Sequence, residues 1–475
     1  MQFTSLHFFL FFAVILAGLL VLRHHEHKIL WLLLGGMVFY GYFDWRFLAL
    51  IGFTSIFDFW MGLKIGAAQG VLRKRLVALD IFVNLGILCI FKYLNFFIES
   101  VNTISGSMGF HWQPLNILLP IGISFFVFEA MSYCIDVYRG KLAPYTNWKH
   151  FALFIFFFPR MIAGPIIRPA DFLPQIERAI VLTWPNFIVG GQLFLFGMTK
   201  KLVIADRLST FVDPVFANPQ AYSSFSIWQA VISYSIQIFC DFSGYSDMAI
   251  GLAKILGFDL PVNFRMPYLA NNLTDFWRRW HISLSSWLRD YLYISLGGNR
   301  QGTFRTYGNL LITMTLGGLW HGASWNFVIW GVLHGLGLAI HKAYSSFLQK
   351  VLSAEVYTCL QNNALVRALS WAITYLFVCF GWVFFRAQHF DDAWLVVRRM
   401  SGLENAGLSW IFGPLLVILP VVIAAHAIGA WLEKRKRTLV LQPHRFSHQV
   451  ALFMWVFGIF FLAATVSAPF IYFQF

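Results

Sequence analysis

The sequence predicts an all-α, polytopic integral membrane protein, and three observations predict it. Of 475 residues, 59% are hydrophobic and 12% are charged, about half the charged share of a soluble domain. Apolar runs of roughly 18 residues or more recur along the whole length, each long enough to cross a bilayer as a helix. The basic residues collect in short stretches between those runs. The net charge of +14 therefore follows the positive-inside pattern and calls for no nucleic-acid partner.

Taken in order, the first run covers residues 3–22. It has no basic residue ahead of it and no small-residue cleavage site, so it reads as a span and not a removed signal peptide. Lys64 with Arg73, Lys74 and Arg75 marks one cytoplasmic loop, and Arg139, Lys141 and Lys149 mark another. Between them, residues 99–116 carry no lysine or arginine and suit the outer side. Glu433 to Arg437 is the strongest cytoplasmic anchor near the end, and one run from about 450 to 475 leads outward again. This count gives about eleven to twelve spans with both termini outside. The loop from Arg386 to Arg399 falls outside in that scheme although it is basic, a conflict within the count. The five cysteines (Cys89, Cys134, Cys240, Cys359, Cys379) have no zinc spacing and behave as small hydrophobes. No repeat or soluble linker divides the chain, so residues 1–475 are read as a single membrane-embedded domain.

Two stretches depart from simple span and loop. Pro159, Pro165 and Pro169 fall in one segment with Gly164, Arg160 and Arg168, which precludes a regular helix. A re-entrant or interfacial segment fits, because irregular backbone at membrane depth must be buried in protein or line a wet cavity. Residues 259–309 form the longest polar stretch, with six arginines and three aspartates. Asn272 and Asp275 have the spacing of a helix N-cap pair. From there one amphipathic helix is expected through Tyr293. Trp280, Leu284, Trp287, Leu288 and Tyr291 share its apolar stripe, and Arg278, Ser285 and Arg289 share another face. Such a helix can lie in the headgroup layer. Its alternative is the wall of a vestibule for an anionic donor, with arginines on phosphates.

A single imidazole, His321, sits in the apolar, glycine-rich run from Gly317 to Trp325. Ionisable groups are expensive at bilayer depth, but histidine can remain neutral there and act as a base. A buried structural hydrogen-bonder is the plain alternative. His334 and His341 are seven apart and lack zinc spacing or a nearby carboxylate, so no metal is expected. Asp241, Ser243, Tyr245 and Asp247 make a polar patch that lines a cavity or caps a helix break.

Several motifs in order carry a family resemblance. Phe276 to Ser285, Asp290 to Tyr293 and Leu296 to Arg300 resemble the signature of the membrane-bound O-acyltransferases. Gly317 to Gly322 is similar to the segment holding that family's histidine. Pro120 to Phe126, Tyr133 to Arg139 and Phe239 to Gly251 also match, so the similarity spans about 115–335. Within the family it resembles the bacterial branch of alginate O-acetyltransferase membrane subunits and teichoic acid D-alanyl transferases.

The resemblance implies a helical disc with funnels from both faces. It makes His321 the catalytic histidine and His281 a second one. Arg278, Arg279, Trp280, Ser285 and Arg289 become candidate donor-binding residues, and Trp320, Asn326, Asp241 and Tyr245 candidate cavity residues. The implied reaction passes an acyl group from cytoplasmic acetyl-CoA, a substrate and not a bound cofactor, to an exported polysaccharide of alginate, cellulose or peptidoglycan type. An SGNH-type acetyltransferase, periplasmic or membrane-anchored, is the implied partner. The last six residues, Phe470 to Phe475, are similar to the terminal motif of the small companion protein of D-alanylation systems. That likeness makes Tyr472 a candidate acyl shuttle, against an ordinary aromatic belt. A D-alanyl transferase fed by a carrier-protein thioester, a transporter or channel for acyl groups or polymer, and a secretion scaffold are the alternatives. No Gly-x-Ser-x-Gly elbow is present.

Overall fold

The computed structural model describes residues 1–105, 111–437, 439–465 and 468–471. It is all-α: among the described residues, extended pairing is limited to one bridge between Tyr222 and Leu408. Among the described residues, five helices are long and apolar enough to cross a membrane: Phe47–Ala67, Gly70–Ser105, Trp184–Ala217, Ala364–Arg386 and Leu415–Lys434. Leu6–Val21 and Phe446–Leu462 are apolar but shorter. Large apolar side chains such as Phe82, Leu416 and Phe460 are at least three-quarters exposed. Lipid explains them, since water would penalise each. The protein is a multi-pass membrane protein.

The chain forms two compact units, one of residues 1–196 with 245–261 and one of residues 197–244 with 262–475. In the first, the helix Ile123–Tyr138 is buried along almost its whole length. Gly36 lets the helix His25–Asp44 meet Trp148–Phe156 closely, because a Cβ there would fall 1.8 Å from the Phe156 carbonyl oxygen. Phe3, Phe8, Phe39 and Phe158 fill the adjoining core.

The proline-rich segment is non-helical from 157 to 168 and almost wholly buried, as the sequence predicts. One carboxylate ties it to the helix Ile123–Tyr138. Glu129 receives the Arg160 guanidinium on one oxygen and the Ile167 N–H on the other at 3.1 Å. Arg160 also lies over the Phe154 ring, 4.7 Å from its centroid.

In the second unit, the basic loop that conflicts with the topological count uses its charges internally. Arg399 is buried and donates to the carbonyl oxygens of Pro219, Gln220, Tyr222 and Ala406. Arg386 pairs with Asp213 at 2.7 Å. A cation locked onto loop carbonyls is a structural clamp and a poor marker of sidedness.

Candidate active site

His321 is the last residue of the helix Thr303–His321, which turns at 322–324 into Trp325–Val351. Glycines bring the two helices together. A Cβ on Gly318 would lie 2.2 Å from the Phe327 carbonyl oxygen, and one on Gly331 would lie 2.4 Å from that of Met314. Small residues are the usual means of close helix packing in membranes. Ser324 caps the second helix by accepting the Asn326 N–H at 3.3 Å.

The segment expected to be one helix from Asp275 to Tyr293 is broken. It runs as Leu273–Arg279, then Ile282–Trp287, then a π turn Leu288–Tyr293. His281 sits in the break with left-handed backbone, φ 43° and ψ 55°, a conformation that costs a non-glycine residue about 1–3 kcal/mol. Asn263, eighteen residues upstream, compensates. Its Oδ1 accepts from the Ser283 N–H at 3.2 Å and hydroxyl at 2.9 Å, and lies 3.1 Å from His281 Nδ1. An amide oxygen only accepts, so Nδ1 carries the proton and Nε2 carries the lone pair. Among the described residues, His281 Nε2 has no hydrogen-bond partner. Removing Asn263 leaves buried donors unpaired, so Asn263→Ala should lower stability by about 1–3 kcal/mol. The check is the midpoint of thermal unfolding in detergent, which should fall well beyond that of an exposed control such as Asn362→Ala.

The two histidines lie together, with ring centroids 6.4 Å apart. Trp320 stands 5.9 Å from His281, and Trp330 and Phe385 flank His321 at 5.2 and 5.1 Å. The predicted apolar stripe is buried inside the protein at all five positions, so packing and not the headgroup layer receives it. The predicted cap also forms, with Asn272 accepting the Asp275 N–H at 2.8 Å.

A cavity of about 640 Å³ leads to His321. Arg278, Ser285, Arg289, Lys342, Met314 and Gly317 line it together with His321. Arg278 and Arg289 are exposed, and Asp290, 2.6 Å from Arg289, raises the already high pKa of that guanidinium.

The other expected residues are placed differently. Arg279 points into an ion pair with Asp275 at 2.8 Å. Trp280 is buried against Phe264, Phe276 and Trp382 and is not on the cavity wall. Asn326 donates to the Ala387 carbonyl at 2.9 Å and ties its helix to the following turn. Tyr245 belongs to the first unit, stacked on Phe3 at 4.6 Å. Asp241 forms a buried ion pair with Lys201 at 2.7 Å. Lys201 and Asn263 carried no recognisable signal in the sequence. Tyr472 lies outside the described residues.

His334 accepts from Trp277 Nε1 at 3.3 Å and is a buried packing residue, whereas His341 lines the cavity beside Thr274. Among the described residues, side chains grouped closely enough to share a metal are His25, Glu26 and His150, and Asp58, Asp80 and Cys134. Neither group includes the central histidines.

The sequence is similar to known proteins. Residues 143–382 match the membrane-bound O-acyltransferase family. A probable alginate O-acetylase of Azotobacter vinelandii is 43% identical over 90% of this chain and 85% of its own. The peptidoglycan O-acetyltransferase of Helicobacter pylori is 37% identical over 85% of this chain and 80% of its own. The teichoic acid D-alanyltransferase of Bacillus subtilis is 28% identical over 70% of this chain and 85% of its own. Acyl transfer in a membrane is the activity these relatives share, and the chain belongs to the membrane-bound O-acyltransferase family, in the bacterial branch that acts on the cell envelope.

Proposed function

We propose that this protein takes an acetyl group from cytoplasmic acetyl-CoA and passes it across the inner membrane for O-acetylation of an exported polysaccharide. Residues 1–475 act as one acyltransferase domain. The cavity running from Arg278 and Arg289 to His321 carries this reading. Guanidinium groups suit the phosphates of a coenzyme A donor, and a thioester at the far end meets an imidazole.

In the reaction, His321 removes the proton from an acceptor hydroxyl as its oxygen attacks the thioester carbonyl. The C–S bond then breaks and the thiolate takes that proton from the imidazolium, so the histidine returns neutral. His281, with its Nε2 lone pair, orients or relays at the same site. Tyr472 is the first acceptor in a two-step path, its phenol acylated and then relieved by an SGNH-type partner. The chemistry as written calls on no metal.

Identities of 43% to an alginate O-acetylase and 28% to a D-alanyltransferase favour acetyl over D-alanyl. The deciding experiment gives the purified protein, together with its SGNH-type partner and polymer, either radiolabelled acetyl-CoA or a radiolabelled D-alanyl carrier-protein thioester. Label entering polymer from the carrier alone would replace acetyl with D-alanyl. Arg278→Ala with Arg289→Ala should raise KM for acetyl-CoA about ten-fold and leave kcat nearly unchanged, as loss of uniform phosphate binding predicts. Because the lost contacts are ionic, added salt should raise the wild-type KM and barely move that of the double variant.

A further inference from the structure

The second unit contains a buried ion triad that no donor-binding role uses. Lys201 lies in the π turn Thr199–Ala205, Asp206 begins the next helix, and Asp241 comes from the helix Ser224–Ile255. Lys201 Nζ stands 2.7 Å from Asp206 Oδ1 and 2.7 Å from Asp241 Oδ1. An ammonium has three donors, and the third goes to the Ala468 carbonyl oxygen at 2.9 Å. The second oxygen of Asp241 accepts the Ile471 N–H at 2.8 Å. Two carboxylates against one ammonium leave a buried negative charge that needs donors. The 468–471 segment supplies one. Pro469 lies inside the bracketed stretch and brings no N–H of its own.

The seating is continuous with the histidine pair. Phe470 and Ile471 are both buried. The Phe470 ring packs 6.1 Å from that of Phe242, and Phe242 stands edge-on to His281 at 4.7 Å. Upstream, Ala464 N–H donates to the Leu202 carbonyl at 3.0 Å, and Arg207 donates to that of Leu462 at 2.8 Å. The chain is thus pinned on both sides of 466–467 by the same π-turn region.

We infer that Lys201, Asp206 and Asp241 form a latch that seats residues 468–471 and so fixes the chain immediately before Tyr472 beside the His281–His321 pair. They are positioning residues: Lys201 and Asp241 touch the backbone of the segment, Asp206 holds the Lys201 ammonium, and none of the three lines the donor cavity. The inference rests on the shuttle reading of Tyr472 for its purpose, but the latch itself is tested separately.

Hydrogen exchange read by mass spectrometry should show slow exchange in the peptide containing residues 468–471 of the full-length protein. Lys201→Met should speed it by about ten-fold or more, the loss of at least one charged hydrogen bond. Ile471→Pro removes the amide that Asp241 binds, together with the buried isoleucine side chain, and leaves the three triad residues in place, so it covers the case in which Lys201→Met does not fold. With acetyl-CoA as donor, both variants should lose about ten-fold or more in kcat for polymer acetylation while KM for acetyl-CoA stays within about two-fold. Fast exchange at 468–471 in the wild type, or wild-type kcat in Ile471→Pro, overturns the latch. Slow exchange with no acetyl transfer by any form keeps the latch and refutes the acetyltransferase reading instead.

Discussion

Replacing His321 with alanine is expected to lower acetyl transfer to polymer by about 10²- to 10⁴-fold, the usual contribution of a positioned general base. The ring reaches the cavity from a helix C-terminus and has aromatic neighbours on two sides. Its loss should affect kcat far more than acetyl-CoA affinity, because the cations of the cavity lie on other elements. Protein that elutes as a single species, binds acetyl-CoA normally and fails to acetylate would fit the base role. Polymer acetylation at the wild-type rate by that variant would remove it and favour a transporter or scaffold. His281→Ala should be less severe on kcat but costlier to stability, since it empties a fully buried position beside Phe242 and Asn263.

Arg160→Leu is expected to be the most destabilising change in the first unit, by about 3–5 kcal/mol, the penalty for leaving one partner of a buried ion pair alone. Among the described residues Glu129 would keep the Ile167 amide as its side-chain partner, and residues 157–168 would lose their ion pair to the helix Ile123–Tyr138. The measurement is the thermal midpoint of the detergent-solubilised protein, alongside Glu129→Gln and the double variant Glu129→Gln with Arg160→Leu. The double variant should be more stable than Arg160→Leu alone, because no uncompensated charge remains. Equal midpoints for wild type and Arg160→Leu would show that the pair contributes nothing to folding.

Much of the fold and part of the site are legible in one dimension. Apolar runs report spans because bilayer thickness fixes helix length. Three prolines report the irregular segment because a missing N–H and a fixed φ act locally. Asn272 reports a helix start because a cap bonds its own next turn. His321 stands out because an imidazole is rare in such apolar surroundings, and Arg278, Ser285 and Arg289 were correctly grouped by helical period despite the break between them.

The failures share one cause. Residues 275–293 have good helical pattern throughout, yet the helix breaks at His281 because Asn263 offers a better set of hydrogen bonds from outside the segment. Arg279 and Trp280 belong to the same motif as Arg278, yet one turns to Asp275 and the other into the core. The basic loop at 386–399 misleads a charge count because Arg386 and Arg399 are bound by residues more than 170 positions away.

By itself, then, the sequence determined the membrane class and the family, and it singled out His321 as the candidate base. Each of these follows from composition, period or a contiguous motif. Tertiary structure alone decided which nitrogen of His281 holds the lone pair, which arginines face the cavity, and that Lys201 and Asp241 grip residues 468–471. Those facts depend on hydrogen bonds and ion pairs between distant segments, whose geometry is set by packing and leaves no periodic trace along the chain.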